Sequence, residues 1–358
     1  LRRVSKIAAA GVATAALALS VAACGSSTTD DKSSPSSSSS DNSSSGGSKS
    51  KGVGIAYDVG GRGDHSFNDS AARGLDKADK ELSLESKELT AANGETDSDR
   101  EQRLDSMAAA GYNPVIAVGY TYGPALTKIA KKYPNTTFGI VDSVVDLPNV
   151  DSMVFATEQS SYLAGVAAAL KTKTGKVGFI GGVQNALIGT FDAGFAQGVK
   201  DTKPSVQVTR EYLYKNDPRG FNDAASAAGK AQGMLDKGID VIYTAAGLSG
   251  DGSIQKVAGK SGAWAIGVDS DQYQDPALAK YQKSILTSAI KNVDVAVYDL
   301  INSVDKDKKP KVGTNTYNLA NDGVSLATSG NFIADIQSQL DAAKQKIVSG
   351  QVKVSATP

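Results

Sequence analysis

Three aspartates follow short apolar runs: Asp58 after Gly54–Tyr57, Asp142 after Phe138–Val141 and Asp269 after Trp264–Val268. A carboxylate at a strand end can accept hydrogen bonds from sugar hydroxyls or ring N–H groups. The plainer alternative is a solvated side chain or a turn cap. Lys291, closing the run Ile285–Ile290, can donate to a hydroxyl or simply face water. The triplet Phe-Asn-Asp occurs at 67–69 and again at 221–223, each time before a helix-like run. Locally, Asn and Asp cap a helix and Phe staples it to the core. Chemically, two rings from separate halves of the chain can sandwich a flat heterocycle, each stacking contact being worth about 1–3 kcal/mol. The chain holds one His, His65, and one Cys. That leaves little room for a Cys/His metal site, a disulfide or a His-dependent dyad, and His65 reads as a loop residue. Asp269, Asp271 and Asp275 lack the EF-hand spacing and glycine, and Gly60, Gly61 and Gly63 do not match the dinucleotide fingerprint. Neither a Walker A sequence nor a Gly-x-Ser-x-Gly elbow occurs. These exclusions favour binding over catalysis, with no cofactor and no metal.

Something must hold these side chains together. Gly54–Tyr57, a Gly-rich turn over Val59–His65, the capping residues Ser66 to Asp69 and a helix over Ser70–Leu84 make one strand–turn–helix unit. The alternation continues to Ala156. It restarts with Lys176–Ile180, Gly181-Gly182 and a helix over Phe191–Asp201, and runs on to Asp269. Alternating β and α segments predict parallel sheets, here two doubly wound α/β lobes, with ligands bound beyond the carboxyl ends of the strands. Ile285–Ile290 is a further strand, Asn292–Val304 a helix, and Gly313–Leu326 carries terminal strands. The apolar face of Phe332, Ile336, Leu340 and Ile347 marks a last helix.

The 358 residues carry 38 basic and 38 acidic side chains. Such balance argues against nucleic acid as a partner. Arg2, Arg3 and Lys6 precede an Ala-rich apolar run, Ile7–Val21, too short for a comfortable membrane span. It ends Val21-Ala22-Ala23-Cys24-Gly25, which resembles the lipobox of bacterial lipoproteins. Residues 1–23 then read as a lipoprotein signal peptide, with Cys24 as the acylated first residue of the mature chain. Multiple acyl chains suffice for stable anchoring to a bilayer. The Ser-rich stretch to residue 50 cannot bury enough apolar surface to order itself, and reads as a tether reaching roughly 25–30 Å.

Several motifs recur in a recognisable order: Asp58-Val59-Gly60-Gly61, Asp64-His65-Ser66-Phe67-Asn68, Phe138-Gly139-Ile140-Val141-Asp142, Tyr162-Leu163-Ala164-Gly165, Phe221-Asn222-Asp223, Gly267-Val268-Asp269-Ser270-Asp271-Gln272 and Thr287-Ser288-Ala289-Ile290-Lys291. Together they resemble the basic membrane protein family, also called PnrA-like lipoproteins, over Lys51–Ser349. The resemblance implies the type I periplasmic binding protein fold and a nucleoside-binding component of an ABC importer, working with a membrane permease and ATPase subunits. It implies that Phe67 and Phe221 stack on a purine. Asp58, with Ser66 or Asn68, would read the base edge, and Asp142, Gly247, Asp269 and Lys291 would hold the ribose. The chain departs from the pattern at His65, where Lys is usual, and at Leu248 and Asp251, which interrupt a more Gly-rich loop.

The expected protein is therefore a lipid-anchored, extracytoplasmic solute-binding protein for a purine nucleoside. The rival readings are a binding protein for a pentose, another small sugar or a signalling molecule, a surface receptor without a transport role, and a nucleoside hydrolase. Lobe 1 is expected to comprise residues 51–156 and 285–309, and lobe 2 residues 157–284 and 310–358, with three crossovers forming the hinge.

Overall fold

Val53–Tyr57, Val115–Val118 and Val241–Ala245 are buried at every position. Strands of this kind must be covered on both faces, which a parallel sheet flanked by helices achieves. The computed structural model describes residues 50–358 and places these runs in two six-stranded sheets. The expected signal peptide, Cys24 and the expected tether up to residue 49 lie outside the described residues.

The first lobe begins β1 (Val53–Tyr57), α1 (Phe67–Leu82), β2 (Ser86–Thr90), α2 (Asp97–Ala109), β3 (Val115–Val118), α3 (Gly123–Lys132), β4 (Phe138–Val141) and β5 (Val150–Phe155). The second takes α4 (Thr157–Lys171), β6 (Lys176–Val183), α5 (Ala186–Thr202), β7 (Gln207–Tyr214), α6 (Ala224–Asp236), β8 (Val241–Ala245), α7 (Gly250–Ala258), β9 (Trp264–Asp269) and β10 (Ile285–Lys291). The chain then returns to lobe 1 for α8 (Val293–Asp305) and β11 (Gly313–Tyr317). It ends in lobe 2 with β12 (Val324–Leu326) and α9 (Gln337–Val348).

The strand orders are β2-β1-β3-β4-β5-β11 and β7-β6-β8-β9-β10-β12. Every pairing is parallel except β10 with β12. Both lobes thus have the doubly wound order whose switch point, beside the first strand, binds ligands. In lobe 1 that point lies between β1 and β3; in lobe 2 it lies between β6 and β8. Apolar clusters fill both faces of each sheet.

The fold class agrees with expectation, but the expected lobe boundaries need correction. Residues 285–291 were expected in lobe 1, yet β10 pairs with β9 in the second sheet. Residues 313–317 were expected in lobe 2, yet β11 pairs with β5 in the first. β10 mixes apolar and polar residues and β11 is largely polar and exposed, so neither carries a local pattern that says which sheet it joins. The chain crosses between lobes at Ala156, at Asn292 and between Tyr317 and Val324.

Within lobe 2, α4 and α5 meet backbone to backbone. A Cβ on Gly194 would fall 2.1 Å from the Glu158 carbonyl oxygen, and one on Gly198 2.1 Å from that of Tyr162. Only glycine permits this approach, and it fixes the helix that forms one wall of the cleft.

Candidate ligand-binding site

The cleft is organised by the way α1 begins. Burying the N-terminus of a helix leaves backbone N–H groups that need acceptors. Asp64 supplies them: its Oδ1 accepts from the backbone N–H of Ser66 at 2.9 Å and of Asp69 at 3.0 Å, and its Oδ2 from that of Asn68 at 2.8 Å. Burial pushes the Asp64 carboxyl up to about 7, against the pull of these bonds. The capping expected of Ser66 to Asp69 therefore falls largely to Asp64. The Ser66 hydroxyl instead reaches across to lobe 2, within bonding distance of Asp269 Oδ2 (3.0 Å) and the Val268 carbonyl (3.1 Å). Asn68 ties the helix to the end of β1: its Oδ1 accepts from the Asp58 N–H at 3.0 Å, and its amide donates to Asp64.

The second triplet builds a different local structure. Phe221 ends a short 3₁₀ turn, Pro218–Phe221, and Asp223 caps α6 by accepting from the Ser226 N–H at 2.9 Å. Bonds from Ser226 and Tyr214 hold the Asp223 carboxyl down at about 2. Ser249 accepts from the Asp223 N–H at 2.6 Å and donates to the Gly220 carbonyl at 2.8 Å, joining this turn to Gly247–Ser249. The two triplets are not structural copies, yet Phe67 and Phe221 line the same cavity.

That cavity lies between the lobes and encloses about 530 Å³ of empty space, the solvent at its opening included. Asp58, Phe67, Asn68, Asp142, Phe221, Gly247, Asp269 and Lys291 all line it. Ser66 alone among the expected site residues of this region does not. It is fully buried in the seam between the lobes.

Asp142 follows β4 and Asp269 ends β9, the fourth strands of the two lobes. Both sit in the left-handed region, at φ +66° and +64°, which Asp tolerates better than most residues. Lys291 pairs with Asp142 across the lobes, both side chains being almost wholly buried. Its ammonium also lies 4.4 Å from the Phe67 ring centroid, 5.4 Å from that of Phe155 and 5.8 Å from that of Phe191, within cation–π range. Asp269 Oδ1 is buried and, among the described residues, has no hydrogen-bond partner. Burial raises the Asp269 pKa, and the charge of Lys291 opposes the rise.

Asp58 is 5 % exposed. Its Oδ1 accepts from the Val59 N–H at 2.8 Å and the Thr121 hydroxyl at 3.2 Å. Burial lifts this carboxyl to about 6 despite those bonds. Gly119 makes room for it: at φ +117°, a Cβ there would fall 2.3 Å from Asp58 Oδ2. The cleft therefore offers two buried carboxylates with acceptor capacity, a buried ammonium and two rings, a set suited to a flat, hydroxyl-bearing ligand.

Sequence reasoning missed part of the wall. Leu187, Ile188 and Phe191 line the cavity from the first turns of α5, which begins at Ala186, not at Phe191 as expected. Asn185 was the available signal: it caps α5, accepting from the Ile188 N–H at 2.9 Å. Tyr120, just past β3, also lines the cleft.

The comparisons agree with this geometry. The family model described as ABC transporter substrate-binding protein PnrA-like matches residues 51–357. The chain is 35 % identical over 325 residues to the CD4+ T-cell-stimulating antigen of Listeria innocua, covering 87 % of this chain and 90 % of that one. It is 35 % identical over 316 residues to the ABC transporter nucleoside-binding protein BmpA of Lactococcus lactis, covering 84 % and 88 %. An ABC transporter solute-binding protein from Aeropyrum pernix superposes with a TM-score of 0.72 at 28 % identity, covering 86 % of this chain and 93 % of that one. Fold, cleft and relatives converge: the chain belongs to the PnrA-like family of ABC transporter substrate-binding proteins, components that present a small ligand to a membrane permease and its ATPase.

Proposed function

We propose that the cleft holds a purine nucleoside. The observation that carries this reading is that Phe67 and Phe221, from opposite lobes, line one cavity whose polar groups are Asp58, Asp142, Asp269 and Lys291. The base lies between the two rings, with Asp58 Oδ2 accepting from a ring N–H. The ribose hydroxyls meet Asp142, Asp269 and Lys291, beside the turn at Gly247. Asp269 Oδ1, which has no partner among the described residues, gains one from a ribose hydroxyl. A site built to bond hydroxyls rejects a free base, because its polar groups would be left unpaired. Ser66 and Asn68 act by positioning Phe67 and Asp58 rather than by touching the base. The relative named as a nucleoside-binding protein supports the same ligand class.

The protein breaks no bond in its ligand, and ATP is hydrolysed by the partner subunits. Cys24, acylated, anchors the chain on the extracytoplasmic face of the membrane. No helix among the described residues is long and apolar enough to cross a bilayer.

The test is mass spectrometry of small molecules retained by the purified protein, followed by calorimetry with a panel of nucleosides, free bases and pentoses. Micromolar or tighter binding of a purine nucleoside, lost in Phe221→Ala, supports the reading. Tight binding of a pentose that survives Phe221→Ala overturns it in favour of a sugar. Release of free base from guanosine or inosine would establish a hydrolase.

A further inference from the structure

The seam between the lobes is held by a short series of polar contacts beside the cleft. Ser66 reaches Asp269 and the Val268 carbonyl; Ser270 Oγ donates to the Ser66 carbonyl at 2.6 Å, and Arg73 donates to Ser270 Oγ at 3.1 Å. Next to them His65 Nδ1 lies 2.7 Å from Asp251 Oδ2, lobe 1 to lobe 2. Both side chains are mostly shielded, at 23 % and 21 % exposure. His65 immediately precedes Ser66 and Phe67, so whatever holds its backbone also holds the stacking ring. Its own N–H donates to Asp69 Oδ2 at 3.0 Å, with φ at +53°.

We infer that His65 and Asp251 form a proton-dependent latch between the lobes beside the cleft, and that they position the lobes for ligand retention. The inference rests on the proposed nucleoside reading for the identity of the ligand.

The charged groups facing the imidazole are Asp251 from α7, Asp275 from the loop after β9 and Asp69 from α1, and all three are acidic. Burial pulls the His65 pKa down. The bond to Asp251 and the fields of the three carboxylates outweigh it, so the net direction is up. Asp251 is itself raised by burial, against the pull of His65. Of the two shifts, that of His65 governs the neutral range, because a free carboxyl titrates far lower, near 3.9, than a free imidazole, near 6.5. When the lobes part, His65 returns toward that free value. A group whose pKa is higher in the closed form stabilises closure fully below its open-form pKa. It loses that contribution as pH rises through its closed-form pKa. The latch is therefore engaged in mildly acidic surroundings and released in alkaline ones. By linkage, a ligand that closes the cleft must raise the His65 pKa.

His65 is the only histidine of the chain, so one imidazole signal in the NMR spectrum of the untagged full chain reports on it. Without ligand, wild type should titrate above ~6.5 and Asp251→Asn at or below that value. With guanosine added, the wild-type value should rise further. Guanosine dissociation, followed by stopped flow, should speed up about three- to fivefold between pH 6.5 and pH 8.5, the upper range for a pair that water still reaches. His65→Lys, cationic across this range, should keep the slow rate at both pH values, and Asp251→Asn the fast rate at both. Equal titration of wild type and Asp251→Asn overturns the latch, as does a wild-type pH dependence retained by His65→Lys. Should guanosine not bind at all, the nucleoside reading fails, and the ligand-free comparison of wild type with Asp251→Asn still decides the latch.

Discussion

Acidifying the solution from pH 7 to pH 5 should weaken nucleoside binding about tenfold through a single carboxyl group. Asp58 is almost wholly buried, and burial lifts it to about 6. Its Oδ1 is committed to the Val59 N–H and the Thr121 hydroxyl, which leaves Oδ2 to accept from the base. Only the ionised form can do so. The apparent Kd therefore grows by the factor 1 + 10^(pKa − pH), about elevenfold at pH 5 against about 1.1-fold at pH 7. The sign follows from the ligand: it binds the deprotonated form, so affinity is present above pH 6 and lost as pH falls through it. At pH 6 binding should release about half a proton, visible in calorimetry as a dependence of the observed enthalpy on the buffer's ionisation enthalpy. The experiment belongs in a His65→Lys background, which removes the opposing contribution of the latch. Asp58→Asn should lose the pH step. Removing a charge-assisted bond worth about 1.5–3 kcal/mol, it should also bind roughly 10- to 150-fold more weakly at pH 7. A flat affinity from pH 5 to pH 7 with Asp58 intact would refute the reasoning, as would a step that survives Asp58→Asn.

Three further substitutions probe other parts of the structure. Phe67→Ala and Phe221→Ala each remove a stacking ring worth about 1–3 kcal/mol; calorimetry should show nucleoside affinity falling roughly 5- to 150-fold, and equal effects on a pentose would argue against stacking. Lys291→Met leaves Asp142 and Asp269 buried without their cation; denaturant unfolding should report a loss of about 3–5 kcal/mol, much of it regained in the double variant with Asp142→Asn. Gly198→Ala forces a Cβ against the Tyr162 carbonyl; differential scanning calorimetry should show a lower Tm, from a destabilisation of about 1–3 kcal/mol, and an unchanged Tm would mean that α4 and α5 can part at no cost.

Much of the architecture was legible because parallel strands and their helices leave strong local patterns. Asp142 and Asp269 were singled out by position alone, as carboxylates after apolar strands, and both line the cavity. The repeated Phe-Asn-Asp pointed to two rings that line one cavity, but the local structure matches expectation only in the second copy: Asp223 caps α6, while α1 is capped by Asp64. Within Asp-His-Ser-Phe-Asn-Asp nearly every residue is a plausible cap, and only three-dimensional closure of the turn selects one. Leu187 and Ile188 were missed because their apolar side chains look like ordinary core. The sheet that β10 joins was misjudged for a deeper reason. Pairing between strands distant in sequence is a tertiary choice, and nothing within Ile285–Lys291 names the sheet it joins. The His65–Asp251 pair spans 186 residues, and no local pattern announces it.

The crossings between the lobes are short, and the one at Asn292 directly follows Lys291. A residue beside a pivot travels least when the jaws swing apart. Lys291 should therefore keep hold of Asp142 in an opened form, while His65 and Asp251, which bridge the lobes outside the cavity lining, separate widely. An incoming molecule would then meet a ready-made anchor deep in the gap before the outer walls fold over it. Retention would be decided beside the gap and recognition at its root. A crystal form caught with the jaws apart would test this through one distance, that between Lys291 Nζ and the Asp142 carboxylate.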